Sequence, residues 1–340
     1  MKKFMFILMV ALVSGFSKSV AQNTLVATLS HGEDITMYYG TYALQEAHAA
    51  AASGDVINLS GGAFQSVNIT KAVTLRGTGI DDAAPTYISG DFTINIPSSD
   101  ANRLSMEGIR CTGTITMRGT FNSPYFVKSQ FYAFNYYDNP TIKNAMFANC
   151  KITSSYNLIG SSTVQFINSY VSGFQNASST TSAASFINCV IKPQNSGHYP
   201  EYICSSQLLN CIIYQTCYNT KNSSNKLPSS TIATNCVSIG YSNLFGAQAA
   251  NTGNKSVNYN EFNKVFKTFT GAYSDSQTFE LTDEAKTTYL GNDGTEVGLY
   301  GGVLPYSSTP SYPQITKMNV ANKTTADGKL SVEIEVSATE

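Results

Sequence analysis

The stretch Phe147-Ala-Asn-Cys-Lys-Ile152 decides the fold, because variants of it recur through the middle of the chain. The pattern is a large apolar residue, a free position, Asn, a small Cys or Ser, another free position and an apolar residue. The other copies begin at Met106, Phe126, Phe166, Phe186, Leu208 and Ala233, and their fourth positions recur every 19 to 25 residues. This period is too short for paired-helix repeats. It predicts an all-β protein, a right-handed parallel β-helix with three sides and about 20–25 residues per coil.

The repeat gives each of its positions a structural role. Neighbouring coils lie about 4.8 Å apart, the spacing of paired strands, so the leading apolar residues are expected to stack in an interior column. The Cys or Ser position fits a narrow part of the interior. The Asn position fits a bend, because Asn tolerates left-handed backbone angles. We expect the amides of these asparagines to hydrogen-bond to the coils above and below.

Seven cysteines are present, and four of them, Cys150, Cys189, Cys211 and Cys236, occupy the small position of the repeat. Buried cysteine behaves as a small hydrophobic residue, so we interpret these four as core residues. Cys204 and Cys217 lie outside the repeat and are the candidates for a disulfide or for reactive thiols. No CxxC pair is present, which argues against a zinc site.

The ends of the chain differ from its middle. Residues 1–21 begin with two lysines after Met1, followed by a short apolar run and small residues before Ala21, which predicts a signal peptide. Residues 22–304 are predicted to form the β-helix, with a capping helix over 41–52, and residues 242–302 to form its last, looser coils and a closing segment. Residues 305–340 are interpreted as a linker and a short β tail. Leu330–Val336 alternates as a strand that pairs either with the β-helix or within a tail module.

Composition excludes one class of partner. Charged residues make up 13% of the chain and the net charge is −1. A strongly basic face for nucleic acid is therefore not expected. The apolar run near the N-terminus is too short to span a bilayer, so no transmembrane segment is expected after cleavage. The predicted location is the periplasm, the outer surface or the extracellular space.

The N-terminal coils resemble a known superfamily. Ala43–Ala47, Gly54-Asp-Val-Ile57, Gly62-Ala-Phe64, Val67-Asn-Ile69 and Val73-Thr-Leu-Arg-Gly77 are similar to the capping helix and first coils of pectin-lyase-like β-helix proteins. The segment Gly294–Gly302 resembles one in exported Bacteroides-type β-helix proteins of uncharacterised function. The resemblance implies a β-helix, and it implies polysaccharide cleavage only where catalytic residues are present.

Catalytic residues are scarce in the central coils. Glycosidases use a pair of carboxyl groups, and Ca²⁺ sites usually contain more than one carboxylate. Between Leu104 and Gly240 the only acids are Glu107, Asp138 and Glu201, in different coils. Arg110 and Lys151 occupy the same repeat position two coils apart, and we expect both to be solvated. No catalytic residue, metal or cofactor site is therefore predicted, and Ca²⁺ binding has no support.

One aromatic stretch suggests ligand binding. Tyr132, Tyr136, Tyr137 and Asp138 are the candidates, since tyrosine rings stack on sugars and polar groups bond hydroxyls. The alternative is that these tyrosines pack over a turn. We predict an exported, non-catalytic β-helix that binds a polysaccharide or host glycan, adheres, or has a structural role. The alternative is a divergent polysaccharide lyase or glycoside hydrolase.

Overall fold

A computed structural model describes residues 25–81, 84–158, 160–176, 182–193, 203–216, 226–241, 243–246, 252–320, 323–325, 327–329 and 331–337. The predicted signal peptide, Cys217 and Glu201 lie outside these residues. Within them the chain forms a parallel β-helix of about eight turns, as the repeat predicted. None of the described helices is both long and apolar enough to cross a bilayer.

Two long sheets form the sides of the coil. The first sheet contains β1 Val26–His31, β2 Asp34–Tyr39, β3 Val56–Leu59, β5 Thr74–Arg76, β8 Ser105–Glu107, β11 Tyr125–Val127, β14 Ala145–Ala148, β16 Thr163–Ile167, β18 Ala183–Ile187, β20 Ser206–Leu209 and β22 Ile232–Thr234. The second sheet contains β4 Gly62–Gln65, β6 Thr86–Ser89, β7 Phe92–Ile94, β9 Ile109–Met117, β12 Gln130–Tyr136, β15 Lys151–Leu158, β17 Tyr170–Asn176, β19 Val190–Pro193, β21 Ile212–Tyr214, β23 Val237–Ile239 and β24 Lys255–Val257.

A third side arises where the strands of the second sheet bend. The first half of β9 pairs with β6, and its second half pairs with the separate strand β7. The register of β12 against β9 shifts between Phe131 and Ala133, and similar shifts occur between the following long strands. A further two-stranded sheet joins β10 Thr120–Asn122 to β13 Thr141–Lys143.

The predicted interior column is present. Phe126, Phe147, Phe166 and Phe186 lie in register on successive strands of the first sheet, and all four are fully buried. Their ring centroids are 4.6, 5.0 and 4.9 Å apart, and the rings are nearly parallel. Each ring therefore fills the space between two coils, so that the column links the coils along the interior.

The small column is also present, and its thiols donate hydrogen bonds to main-chain carbonyls. The Cys211 Sγ donates to the carbonyl of Leu209 (3.2 Å) and to that of Phe186 in the preceding coil (3.4 Å). Cys189 does the same with Ile187 and Phe166. Cys111, Cys150, Cys189, Cys211 and Cys236 form no disulfide in the structure. Since Cys217 lies outside the described residues, its pairing with Cys204 stays a prediction.

The asparagines of the repeat occupy left-handed bends, as expected, with φ between 44° and 55° at Asn149, Asn168, Asn188, Asn210 and Asn235. The expectation for their amides was wrong in part. The Asn168 amide donates to the carbonyls of Leu299 and Gly301, both at 2.8 Å, and the Asn210 amide donates to Asn292. These amides bind a distant C-terminal segment because it lies along their corner.

The N-terminal end carries the predicted helix together with a hairpin that the sequence did not predict. Helix α1, Ala43–Ala50, is shorter than the expected 41–52 and buries Ala43, Leu44, Ala47 and His48. Lys71 Nζ donates to three carbonyls at its C-terminal end, at 2.7–3.0 Å, where a positive charge is favourable. The antiparallel pair β1–β2 extends the first sheet beyond β3.

The C-terminal region runs back along the outside of the coil instead of only closing its end. Residues 258–312, called the strap below, include α2 Phe262–Val265 and α3 Asp283–Thr288. The strap packs apolar residues on the second sheet and then reaches the first coils, where Ser311 N donates to Glu107 (2.7 Å). Residues 305–313, interpreted as a linker, thus lie against the coil. After them, β25 Gln314–Val320 pairs with β26 Val332–Ser337 in a separate hairpin.

Candidate functional site

One outward-facing position of the second sheet changes character along the coil. We call it the outer row. Its members are in register on successive strands: Tyr87, Arg110, Gln130, Lys151, Tyr170, Val190, Ile212, Val237 and Lys255. In the repeat, this is the free position after the Cys or Ser. The row is polar from Arg110 to Lys151 and apolar from Val190 to Val237, with Tyr170 at the boundary.

The strap covers the apolar half of the outer row. Tyr170, Val190, Ile212 and Val237 are almost fully buried, in one cluster with strap residues such as Phe266 and Phe279. The ring of Phe279 stacks on Tyr170 at 4.6 Å, and Tyr273 stacks on Tyr170 at 5.0 Å. Because these rings end the apolar contact at Tyr170, the strap meets a different surface beyond it.

The polar half of the row gathers two cations and two carboxylates. Arg110 lies 3.5 Å from Asp81 and 3.4 Å from Asp275, and Lys151 Nζ lies 3.7 Å from Asp81. The cations are the sequestered partners, since the Lys151 side chain is 4% exposed and that of Arg110 15%, against 40% for Asp81 and 56% for Asp275. The expectation that Arg110 and Lys151 are solvated was wrong, because the strap and the segment around Asp81 lie over them.

These residues line a cleft of about 730 Å³ between the coil and the strap. Arg110, Lys151 and Tyr87 contribute from the coil, and Asp275, Tyr300 and Tyr306 from the strap. The Arg110 guanidinium lies 5.7 Å from the centroid of the Tyr87 ring, and Lys151 Nζ lies 5.6 Å from that of Tyr306. The cleft therefore combines aromatic faces, cations and carboxylates, as polar ligand sites commonly do.

Burial changes the acid–base properties of the cleft. It lowers the pKa of Lys151, against the opposite effect of Asp81, and Arg110 adds to the lowering. It also raises the pKa of Tyr300 to about 12 and holds that of Tyr306 well above its usual value. The tyrosine hydroxyls thus stay protonated and able to donate, while the Lys151 amine loses its proton more readily than a solvated lysine.

Several polar atoms at the cleft lack partners. Among the described residues, Arg110 Nε, Gln130 Oε1 and the Tyr306 hydroxyl are buried and make no hydrogen bond. Buried polar groups are nearly always paired in folded proteins, so such atoms call for an explanation. Arg110 and Tyr306 line the cleft and Gln130 lines a smaller notch beside it, so these atoms are a donor and acceptors that a bound molecule could use.

The structure separates the four residues predicted to bind a ligand. Tyr132 is half-exposed and lines a notch of about 260 Å³ that shares Tyr87, Arg110 and Asp275 with the cleft. Tyr136 is 4% exposed, and its hydroxyl bonds that of Tyr156 inside the coil, so its assignment to a surface site was wrong. It was wrong because Tyr136 points inward at the end of β12.

Tyr137 and Asp138 lie at another corner of the coil. Arg118 stacks over the Tyr137 ring at 4.4 Å and lies 3.7 Å from Asp138, so the two residues pack with this arginine over a turn. They do not line the cleft. Glu107, the other described acid of the central coils, binds Ser311 of the strap and also lies outside the cleft.

The fold can now be set beside known proteins. A solved structure, the crystal structure of pectate lyase Pel9A, is similar to this chain with 16% identity and a TM-score of 0.34, over 78% of this chain and 84% of that one. No family model and no curated protein matches the chain. The parallel β-helix that the resemblance to pectin-lyase-like proteins implied is present in the chain. A likeness at this level says nothing about activity, and the fold rests on the strand register of the chain itself.

Sequence reasoning missed Asp81 and Asp275, because both acids lie outside the central coils. Asp275 is 124 residues from Lys151, so no local spacing connects them. The available signal was the outer row itself, in which Arg110, Gln130 and Lys151 recur where later coils have Val or Ile. Among the described residues, no group of three or more His, Cys, Asp or Glu side chains could hold a metal ion.

Proposed function

We propose that the protein binds carbohydrate chains in the cleft between the coil and the strap. The observation that carries the proposal is the switch of the outer row from apolar to polar at Tyr170, with the cleft lying over the polar half. A surface that only docked the strap would continue the apolar row. Instead, Arg110, Gln130 and Lys151 occupy positions whose counterparts, Val190 and Ile212, are sealed by the strap.

The chemistry of the cleft suits sugars. Asp81 can accept hydrogen bonds from hydroxyls, and Arg110 and Gln130 can donate to ring and hydroxyl oxygens. Tyr87, with Tyr132 in the adjoining notch, offers aromatic faces for the apolar faces of sugar rings. The buried cations also favour a sugar that carries a carboxylate. The predicted signal peptide supports an exported protein whose ligand is a polysaccharide or host glycan.

A second candidate function is supported by Lys151 alone. A polysaccharide lyase needs a base that removes the proton beside a uronate carboxylate, after which the glycosidic bond breaks, a carbon–carbon double bond forms and the leaving oxygen gains a proton. An amine whose pKa is lowered by burial can accept that proton, and Arg110 can neutralise the carboxylate. This reading makes the protein a divergent lyase rather than a binding module.

The binding proposal is tested by calorimetry with oligosaccharides of galacturonate, mannuronate, xylose and mannose. We expect at least one to bind with micromolar to millimolar affinity and the variant Arg110→Ala to lose tenfold or more of it, since a hydrogen bond to a charged group contributes about 1.5–3 kcal/mol. Arg118→Ala is the matched control, because this arginine stacks on a tyrosine and pairs with an aspartate outside the cleft. Equal loss in both variants, or no binding in the whole panel, contradicts the proposal.

The lyase candidate is tested by incubating the protein with the uronate oligosaccharides, with added Ca²⁺ or with chelator, and following the ultraviolet absorbance of unsaturated products. Product that forms with the native protein and disappears with Lys151→Met supports lyase activity. Lys255→Met is the control, because Lys255 occupies the outer row at its opposite end. Binding without product in either condition leaves the non-catalytic function as the conclusion.

A further inference from the structure

The strap carries a short exposed tip directly over the polar half of the outer row. The tip is Ser274–Ser276, three exposed residues between the stacked Tyr273 and the buried Gln277. Phe279, two residues further on, is buried against Tyr170 with a φ of 59°, an unusual angle for a bulky side chain. Since packing has to impose such a conformation, both ends of the tip are firmly anchored while the tip itself buries little.

Asp275 accepts hydrogen bonds from polar side chains of the outer row, which we call the cleft floor. Its Oδ1 accepts from Gln130 Nε2 at 3.0 Å and from the Tyr273 hydroxyl at 3.2 Å, and its Oδ2 accepts from Arg110 at 3.4 Å. Its backbone carbonyl lies 3.5 Å from Lys151 Nζ. One residue of the tip therefore contacts all three polar members of the row between Tyr87 and Tyr170.

These contacts leave two polar atoms of the cleft floor without hydrogen-bond partners. Gln130 Oε1 and Arg110 Nε stay buried without a partner among the described residues, although Asp275 contacts both side chains. The Asp275 side chain is 56% exposed, and ion pairs with an exposed partner are weak. The closed arrangement thus covers polar atoms without pairing them, and little free energy opposes its opening.

We infer that the tip is a built-in competitor of the ligand: the Asp275 carboxylate occupies donors of Arg110 and Gln130 that a glycan would use, and a glycan binds by displacing the tip. This inference rests on the proposed carbohydrate binding. It assigns Asp275 to the control of the site, and it makes the apparent affinity equal to the intrinsic affinity reduced by the fraction of molecules in which the tip is open.

The experiment compares the native protein with Asp275→Ala in two measurements. Hydrogen exchange of the tip in the absence of ligand reports opening, because the Gln277 amide donates to the Ser274 carbonyl at 3.0 Å. Calorimetry with trigalacturonate and with the neutral xylotriose reports affinity. We expect faster exchange at Gln277 and about two- to fivefold tighter binding of whichever trisaccharide the native protein binds, a range set by the weakness of such ion pairs.

Asp81→Asn is the matched control, because Asp81 approaches Arg110 and Lys151 from outside the tip. It should leave exchange at Gln277 unchanged. Weaker binding in Asp275→Ala would make Asp275 a ligand contact and overturn the inference, as would unchanged exchange with unchanged affinity. Faster exchange with no binding of either trisaccharide to any variant contradicts the proposed function while supporting the closing contact of Asp275.

Discussion

The interior column and the outer row come from the same repeat, yet they carry different information. Phe126, Phe147, Phe166 and Phe186 fill the column in successive central coils. The distances between neighbouring ring centroids are nearly equal, at 4.6, 5.0 and 4.9 Å. The outer row changes from Arg and Lys to Val and Ile over the same coils. Positions that stay constant along a solenoid stack the coils, whereas the position that varies distinguishes a docking surface from a cleft.

The largest expected effect comes from breaking the column. Phe166→Ala should lower the free energy of unfolding by about 3–5 kcal/mol, because it leaves a cavity between two stacked rings in a core that relaxes only in part. Urea denaturation followed by circular dichroism measures the change. A loss below about 1 kcal/mol would mean that the rings are not a continuous core.

Two adjacent residues sharpen the comparison. Ile212 and Ile213 are both fully buried, but Ile212 lies under the strap while Ile213 faces the interior. We expect Ile213→Ala to cost about 3–4 kcal/mol and Ile212→Ala about 2 kcal/mol, since the strap can settle into its cavity more easily than the coil can. Faster proteolysis of the strap should accompany only Ile212→Ala. Equal costs and equal proteolysis would show that strap and coil are equally rigid.

The small column predicts a loss of stability in alkali. Burial raises the pKa of Cys150 from 9.0 to about 12. A thiol that holds its proton more tightly in the folded protein makes its full contribution to the free energy of unfolding below the pKa that it has in the unfolded chain. That contribution falls as pH rises through about 9 toward 12. Each such thiol lowers the free energy of unfolding by at most about 1.4 kcal/mol per pH unit in that window. Urea titrations at several alkaline pH values should show a smaller decline of the free energy of unfolding in Cys150→Ser, because this variant lacks the titrating thiol. Serine suits the position, since Ser129 and Ser169 occupy the same column.

The smallest effect on stability is expected in the polar half of the outer row. Lys151→Met should change the free energy of unfolding by less than about 1 kcal/mol, because the desolvation of the amine offsets its attraction to carboxylates. Asp81 and Asp275 are exposed enough to be solvated once the amine is gone. Thermal unfolding measures this change. A loss of several kcal/mol would mean that Lys151 holds the strap, and would turn the polar half into part of the scaffold.

The fold could be predicted because its signals are local and repeated. Phe147, Asn149 and Cys150 recur with a spacing that only stacked coils explain, and their burial and backbone angles agree with that interpretation. The course of the strap could not be predicted, since its contacts with Asn168 and Tyr170 join residues more than 100 positions apart. The asparagines gave no sign that their amides face a returning segment.

The candidate site was only partly accessible from the sequence. Arg110 and Lys151 were identified as sharing one position, but their burial depends on Asp81 and on the strap, which no repeat connects to them. Tyr132 and Tyr136 were proposed together as ligand-binding residues, although only Tyr132 faces solvent. The register shift between Phe131 and Ala133 changes the inward and outward alternation along β12, and a sequence pattern does not show such a shift.

The strap alters how the solenoid should come apart. In a stack whose coils touch only their neighbours, unfolding can begin at one end and proceed as independent fraying events. Here one segment touches the last coils through Val237, the middle through Asn168 and the early ones through Glu107 and Gly77. Melting a terminal coil therefore also loosens a brace on the opposite end, and a linear array acquires the all-or-none cooperativity of a globular domain.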